Sequence, residues 1–375
     1  MSANGLDRRR FLVAAGAAGL GSLVSGGTAA ATGGAKSTVY IGSFTSTGGP
    51  GLDVGQVDRR TGVLTLTGTV DGVPDPSFFA FSINRRTLYS TNELARGSVT
   101  ALDIGPDPQR PVVLNSRSTL GAGPTHLSVH PSNRYLLTAN YTDGTVVVHG
   151  LESDGRIGES TDLVRHQGTD RDPHAHQVLT DPSGRWVLAV DLGADSVFVY
   201  RLNLNTGKLT VRQQLRLPTG AGPRHLAFHP HGRYVYIVGE LRSEITVVAW
   251  DPAGGHLTPG QVVATVGPDA PTPNFPAEVA VTRDGRFVYA SNRGENSIAT
   301  FTVHDRGARI SLVDTTSCGG NWPRHFTLSQ DEHWVYVANQ RSNSVTRLPR
   351  DPVTGRLGEV VQTTSVNSVG IVLIK

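Results

Sequence analysis

Asp284-Gly285-Arg286-Phe287-Val288-Tyr289-Ala290-Ser291-Asn292 decides the fold, because its pattern returns throughout the chain. A turn of Asp or Asn with Gly or Arg leads into an aromatic and aliphatic run that closes on a polar residue. Further copies lie at 84–92, 133–140, 181–191, 231–240 and 331–339. Their anchors Tyr89, Leu137, Leu188, Tyr236, Tyr289 and Tyr336 recur at 47 to 53 residues. Tyr40-Ile41-Gly42-Ser43 sits one period before the first, which makes seven units of about 49 residues.

Two weaker patterns share the period. A Val-rich segment and a Thr-Gly turn follow each anchor, as in Asp58-Arg59-Arg60-Thr61-Gly62 and Asn205-Thr206-Gly207. An alternating apolar segment precedes it, as in Gly222-Pro223-Arg224-His225-Leu226-Ala227-Phe228. Four short strands per unit predict an all-β, seven-bladed β-propeller with four-stranded blades. The 44 Gly and 22 Pro among 375 residues suit that turn density, and no helical periodicity competes with it. The first unit begins at its second strand, near Val39. The run Val369-Gly370-Ile371-Val372-Leu373-Ile374 is expected to supply the missing inner strand, closing the first blade and hiding two open sheet edges.

Asp7-Arg8-Arg9-Arg10-Phe11-Leu12 matches the twin-arginine export pattern, and Ala29-Ala30-Ala31 offers a small-residue cleavage site. Residues 1–31 are read as a twin-arginine signal peptide and 32–375 as the propeller. The expected location is extracellular or in the cell envelope. The intervening apolar stretch is too short and Gly-rich for a permanent membrane span of about 20 residues. Three arginines against one aspartate put +2 of the net +3 in this segment. The near-neutral body has no basic stripe for nucleic acid or an anionic membrane. Cys318 is the single cysteine, so no internal disulfide forms. A monomer is expected, with no cofactor.

The repeat also places chemistry. Ten residues before each first aromatic, or its equivalent, lie Ser77, Thr125, His176, Arg224, Ala277 and Arg324, where the innermost strand starts. Sixteen residues further on, where the second strand returns, lie Glu93, Tyr141, Leu192, Glu240, Arg293 and Gln340. Both sets are expected at one mouth of the channel. His176, Arg224, Glu240 and Arg293 are the candidate catalytic residues. His174, Arg324, Asn92, Glu93, Asn140, Asp191, Asn292 and Asn339 are candidates for substrate binding. Arginine forks suit a carboxylate or phosphate, while a carboxylate and an imidazole can move protons. Strand alternation would turn His126, His225 and His325 into blade packing. His174-Ala175-His176 with Asp191 is a poor zinc site, since no third histidine shares the register and the surrounding arginines repel cations.

Pro173-His174-Ala175-His176, Gly222-Pro223-Arg224-His225, Glu240, Ser291-Asn292-Arg293 and Pro323-Arg324-His325-Phe326 resemble the propeller lactonase family from about Val39 onward. That family includes propeller-type 6-phosphogluconolactonases and fungal carboxy-cis,cis-muconate cyclase. The resemblance implies functional roles for His176, Arg224, Glu240 and Arg293, and metal-free hydrolysis of a sugar-acid or other anionic lactone. Arg224 and Arg293 would hold an anionic group and stabilise the oxyanion. Glu240 and His176 would share base and acid roles whose assignment the sequence leaves open. Gly370 departs from the larger residue common in relatives, and the export signal separates the chain from cytosolic sugar-phosphate metabolism. A lactonising cyclase, or a non-catalytic exported propeller that binds an anion, a sugar or a protein, are the alternatives.

Overall fold

The computed structural model describes residues 35–168 and 171–375. The twin-arginine segment at 1–31 lies outside the described residues. Among them, 28 strands form seven four-stranded antiparallel sheets. Blades 2 to 7 each use four consecutive strands from the channel outward. Blade 1 takes its inner strand, Val369–Ile374, from the far end of the chain. Tyr40 pairs with Leu373 and Ile41 with Val372. Among the described residues no helix is long and apolar enough to cross a membrane.

The hairpin joining the first two strands bends at one repeated position. Arg85, Asn133, Gly184, Gly232, Gly285 and Glu332 all have φ between 54° and 72°. This left-handed turn explains the Gly, Asn and Arg of the repeated phrase. Gly285 is additionally hemmed in, since a Cβ there would lie 2.6 Å from His229 Nε2.

Seven separate apolar clusters are buried among the described residues, one between each pair of adjacent blades. The alternating strands thus bury residues on both faces against neighbours. The anchor tyrosines add a polar stitch. Tyr89 donates to Gly155 O at 2.9 Å, Tyr236 to Gly307 O at 3.0 Å and Tyr289 to Gly355 O at 2.6 Å. Each acceptor lies in an outer turn of the following blade. Tyr336 makes the same bond to Gly62 O at 2.6 Å, joining blade 7 to blade 1. Where the anchor is Leu137 or Leu188, a residue two positions earlier takes over. Tyr135 donates to Leu204 O at 2.9 Å and Trp186 Nε1 to Pro252 O at 3.0 Å.

Candidate active site

The inner strands do not enter the channel in regular register. Pro124 pairs with Asn140 and His126 with Ala139, which leaves Thr125 as an extra residue. His176, Arg224, Arg324 and Gly370 are extra in the same way. Blade 6 has the equivalent shift between Pro276 and Val279. A bulge re-aims the side chain it carries and resets the alternation after it. Such a shift lets an inner strand present two consecutive side chains to the channel.

The first of each pair, with the ends of the second strands, builds the mouth. Glu93, Thr125, Tyr141, His176, Glu240, Arg293 and Arg324 line one cavity of about 210 Å³. Glu240 is its electrostatic hub. Its Oε2 lies 2.7 Å from Arg293 Nη2 and 3.2 Å from Arg224 Nε, the latter off the line of a hydrogen bond. Backbone carbonyls fix both guanidiniums. Arg224 Nη1 donates to Ala277 O at 2.7 Å, and Arg293 Nε to Phe275 O at 2.9 Å. Burial and two neighbouring guanidiniums pull Arg224 down to about 9, which leaves it charged at neutral pH. Arg324 Nη2 donates to Glu93 Oε2 at 3.1 Å.

His176 is 5% exposed, and its Nδ1 is buried without a partner. Burial first, then Arg224 and its neighbours, hold this imidazole well below its ordinary range. It is neutral at pH 7 and can accept a proton.

Side chains one position further on, in blades 2, 3, 5, 6 and 7, form a septum beneath the mouth. Phe78 of blade 2 stacks 4.1 Å from His126 of blade 3. It also meets His225 of blade 5 at 6.0 Å and His325 of blade 7 at 5.8 Å. Only the channel can bring these four blades together. His225 Nδ1 lies 3.1 Å from Glu278 Oε2, and His325 Nε2 3.5 Å from the same oxygen. This corrects the expectation that His126, His225 and His325 face blade packing; the bulge resets the alternation on which it rests. Burial holds all three imidazoles below the ordinary range, His325 to about 4, and raises Glu278.

Several expected binding residues are not at the mouth. Asn92, Asn140, Asp191, Asn292 and Asn339 are fully buried, and of the residues that follow them only Glu93, Tyr141 and Arg293 line the cavity. Alternation turns them backward into the blades. Asn92 Nδ2 donates to Pro74 O at 2.7 Å, Asn140 Nδ2 to Thr145 Oγ1 at 3.0 Å, Asn292 Nδ2 to Thr265 O at 2.9 Å and Asn339 Nδ2 to Thr346 Oγ1 at 2.9 Å. Asp191 pairs with His166 Nδ1 at 2.7 Å and accepts the backbone N–H groups of His174 and Ala194. His174 is a brace outside the cavity lining. It stacks on Tyr141 at 4.5 Å, and its Nδ1 lies 2.9 Å from the Tyr141 carbonyl. Among the described residues no three His, Cys, Asp or Glu side chains form a metal-holding group. Thr125 and Tyr141 line the cavity too, as their registered positions in the repeat predict.

Residues 38–374 match the family described as "Lactonase, 7-bladed beta-propeller". A 6-phosphogluconolactonase of Bacillus subtilis (strain 168) is 33% identical over 87% of this chain and 95% of its own length. A periplasmic gluconolactonase of Pseudomonas aeruginosa superposes with a TM-score of 0.86 at 29% identity, covering 91% of this chain and 99% of that one. A Lactobacillus plantarum protein of known structure gives 0.85 at 31% identity, covering 91% and 100%. With the seven blades and their closure by the last strand, these likenesses place the chain in the seven-bladed β-propeller lactonase family.

Proposed function

We propose that this protein hydrolyses a sugar-acid lactone without a metal, using His176 as the base. The observation that carries the reading is the neutral imidazole in one cavity with Glu240 and Arg293, while Arg224 is buried behind the lining on the same carboxylate. His176 takes a proton from water, and the water oxygen attacks the lactone carbonyl. Arg293, immobilised before substrate arrives, stabilises the oxyanion that develops, and the buried Arg224 adds positive charge from behind Glu240. One oxygen of Glu240 already serves both guanidiniums, so its role is to hold them rather than to deprotonate water.

Mouth charge narrows the substrate. Arg224, Arg293 and Arg324 face Glu93 and Glu240, which leaves little excess charge for a dianionic phosphate. An unphosphorylated aldonolactone, rich in hydroxyls, suits these paired donors and acceptors. The name of the Pseudomonas relative supports that choice, and that of the Bacillus relative supports the lactone class. The twin-arginine pattern at 7–12 further supports work outside the cytoplasm.

A second reading is favoured by the charge left over. Three mouth arginines face two carboxylates, and that single excess charge also suits capture of a small monoanion without turnover. One assay separates the two. The purified protein is offered δ-gluconolactone and its 6-phosphate after treatment with a chelator. Hydrolysis is expected, with the unphosphorylated lactone preferred, and Arg293→Ala lowers kcat about 100-fold or more. Binding without ring opening would leave the anion-capture reading.

A further inference from the structure

Lactone opening needs two proton movements, and the groups described so far supply one. His176, neutral in the cavity, can take the proton from water. The ring oxygen must gain another as its bond to the carbonyl carbon breaks, because an alkoxide is a poor leaving group. Each other group lining the cavity is occupied or unsuited. Glu93 and Glu240 are carboxylates paired with guanidiniums. The two guanidiniums that line it, Arg293 and Arg324, spend their donors on Glu240, the Phe275 carbonyl and Glu93. The Thr125 hydroxyl donates to the His176 carbonyl at 3.0 Å.

Tyr141 remains. It lines the cavity, and among the described residues its hydroxyl has no hydrogen-bond partner and is not sealed from solvent. The phenol is free to donate to a bound molecule. Its orientation is fixed from behind: His174 lies parallel to the ring at 4.5 Å and contacts Tyr141's own carbonyl. His176 meets the same ring edge-on, centroids 5.6 Å apart. The acid and the base are neighbours in the lining of one small cavity.

We propose that Tyr141 is the general acid of the lactonase reaction, an assignment that rests on the hydrolase reading above. The water oxygen bonds to the carbonyl carbon as His176 takes the water proton. The bond from that carbon to the ring oxygen then breaks, leaving its electron pair on the ring oxygen, which receives the Tyr141 proton. The imidazolium returns its proton to the phenolate, so both side chains are restored and the product is a hydroxy acid. Burial and the nearby Glu240 raise the phenol above its ordinary range, so it keeps its proton until this step.

The test replaces Tyr141 twice. Tyr141→Phe is expected to lower kcat on δ-gluconolactone about 100-fold or more and to leave KM within about threefold, as for loss of a positioned acid. Trifluorotyrosine at 141 keeps the shape and lowers the phenol pKa. Wild-type kcat should be level up to about pH 9, whereas the fluorinated enzyme should gain a falling alkaline limb below it. A role limited to packing predicts no such limb. An unchanged kcat in Tyr141→Phe, or a fluorinated enzyme with the wild-type pH profile, overturns the assignment and leaves the hydrolase reading intact. A wild type that opens no lactone removes both.

Discussion

Arg324 of blade 7 reaches Glu93 of blade 2, Nη2 to Oε2 at 3.1 Å, across the blade that lies between them. Blade 1 permits this because its bulge residue is Gly370, which has no side chain to interpose. A Cβ at 370 would sit 3.0 Å from Phe44 Cε2, and the Arg324 guanidinium lies 5.2 Å from that same Phe44 ring. Gly370 therefore shapes the charge pattern of the mouth.

Glu93→Gln should release Arg324 from its carboxylate. The expected result is a KM for 6-phosphogluconolactone lower by about tenfold, the scale of one charge-assisted contact, with little change for the unphosphorylated lactone. Steady-state kinetics on both substrates check this, and equal shifts for the two would contradict it.

Acid should affect activity and stability differently. A base works while neutral, so a His176 held well below 6.5 keeps kcat/KM level until pH falls past that depressed value. Stability declines sooner. His126, His176, His225 and His325 bind protons more weakly in the fold than in the open chain. Their contribution is complete above about pH 6.5 and is lost as pH falls, by up to about 1.4 kcal/mol per histidine per pH unit. Glu278, raised by burial, works in the other direction, one group against four. The melting temperature should drop by several degrees between pH 7 and pH 5, and a level or rising profile would be incompatible with the buried septum.

Tyr336→Phe removes only the hydroxyl that donates to Gly62 O. Loss of that bond should cost about 1 kcal/mol in urea unfolding, with kcat unaltered because the residue lies far from the mouth. A loss of activity without a loss of stability would show that the stitch has some other role.

Arg8→Lys with Arg9→Lys should hold the precursor in the cytoplasm without altering the activity of the folded body. Cell fractionation followed by the lactone assay reads both. Continued export of the double variant would place targeting in some other feature.

The blades were legible because the repeated phrase is itself a packing unit: turn, buried run, polar exit. Ring closure was legible for the same reason, since Val369–Ile374 has the character of an inner strand that the first unit lacks. Facing direction was legible only in part. Counting by twos holds along a strand until a bulge, and a bulge is a hydrogen-bond shift with no residue type of its own. Thr125, His176, Arg224, Arg324 and Gly370 all occupy it. Hence His225 and His325 were assigned to packing, although histidine at the same offset in three blades was a signal of shared surroundings. Asn140 and Asn292 misled for a simpler reason. Polar residues beside a site resemble site residues until the backbone groups they satisfy are seen.

The strand that completes blade 1 also delivers Gly370 to the mouth, so sealing the ring and finishing the site are one event. During synthesis the edge at 39–43 waits for its partner until Val369–Ile374 has been made. A product truncated before Val369 would leave that edge adhesive and the mouth one wall short, prone to aggregate and unable to turn over. For such a chain, assembly and competence arrive together with the final strand.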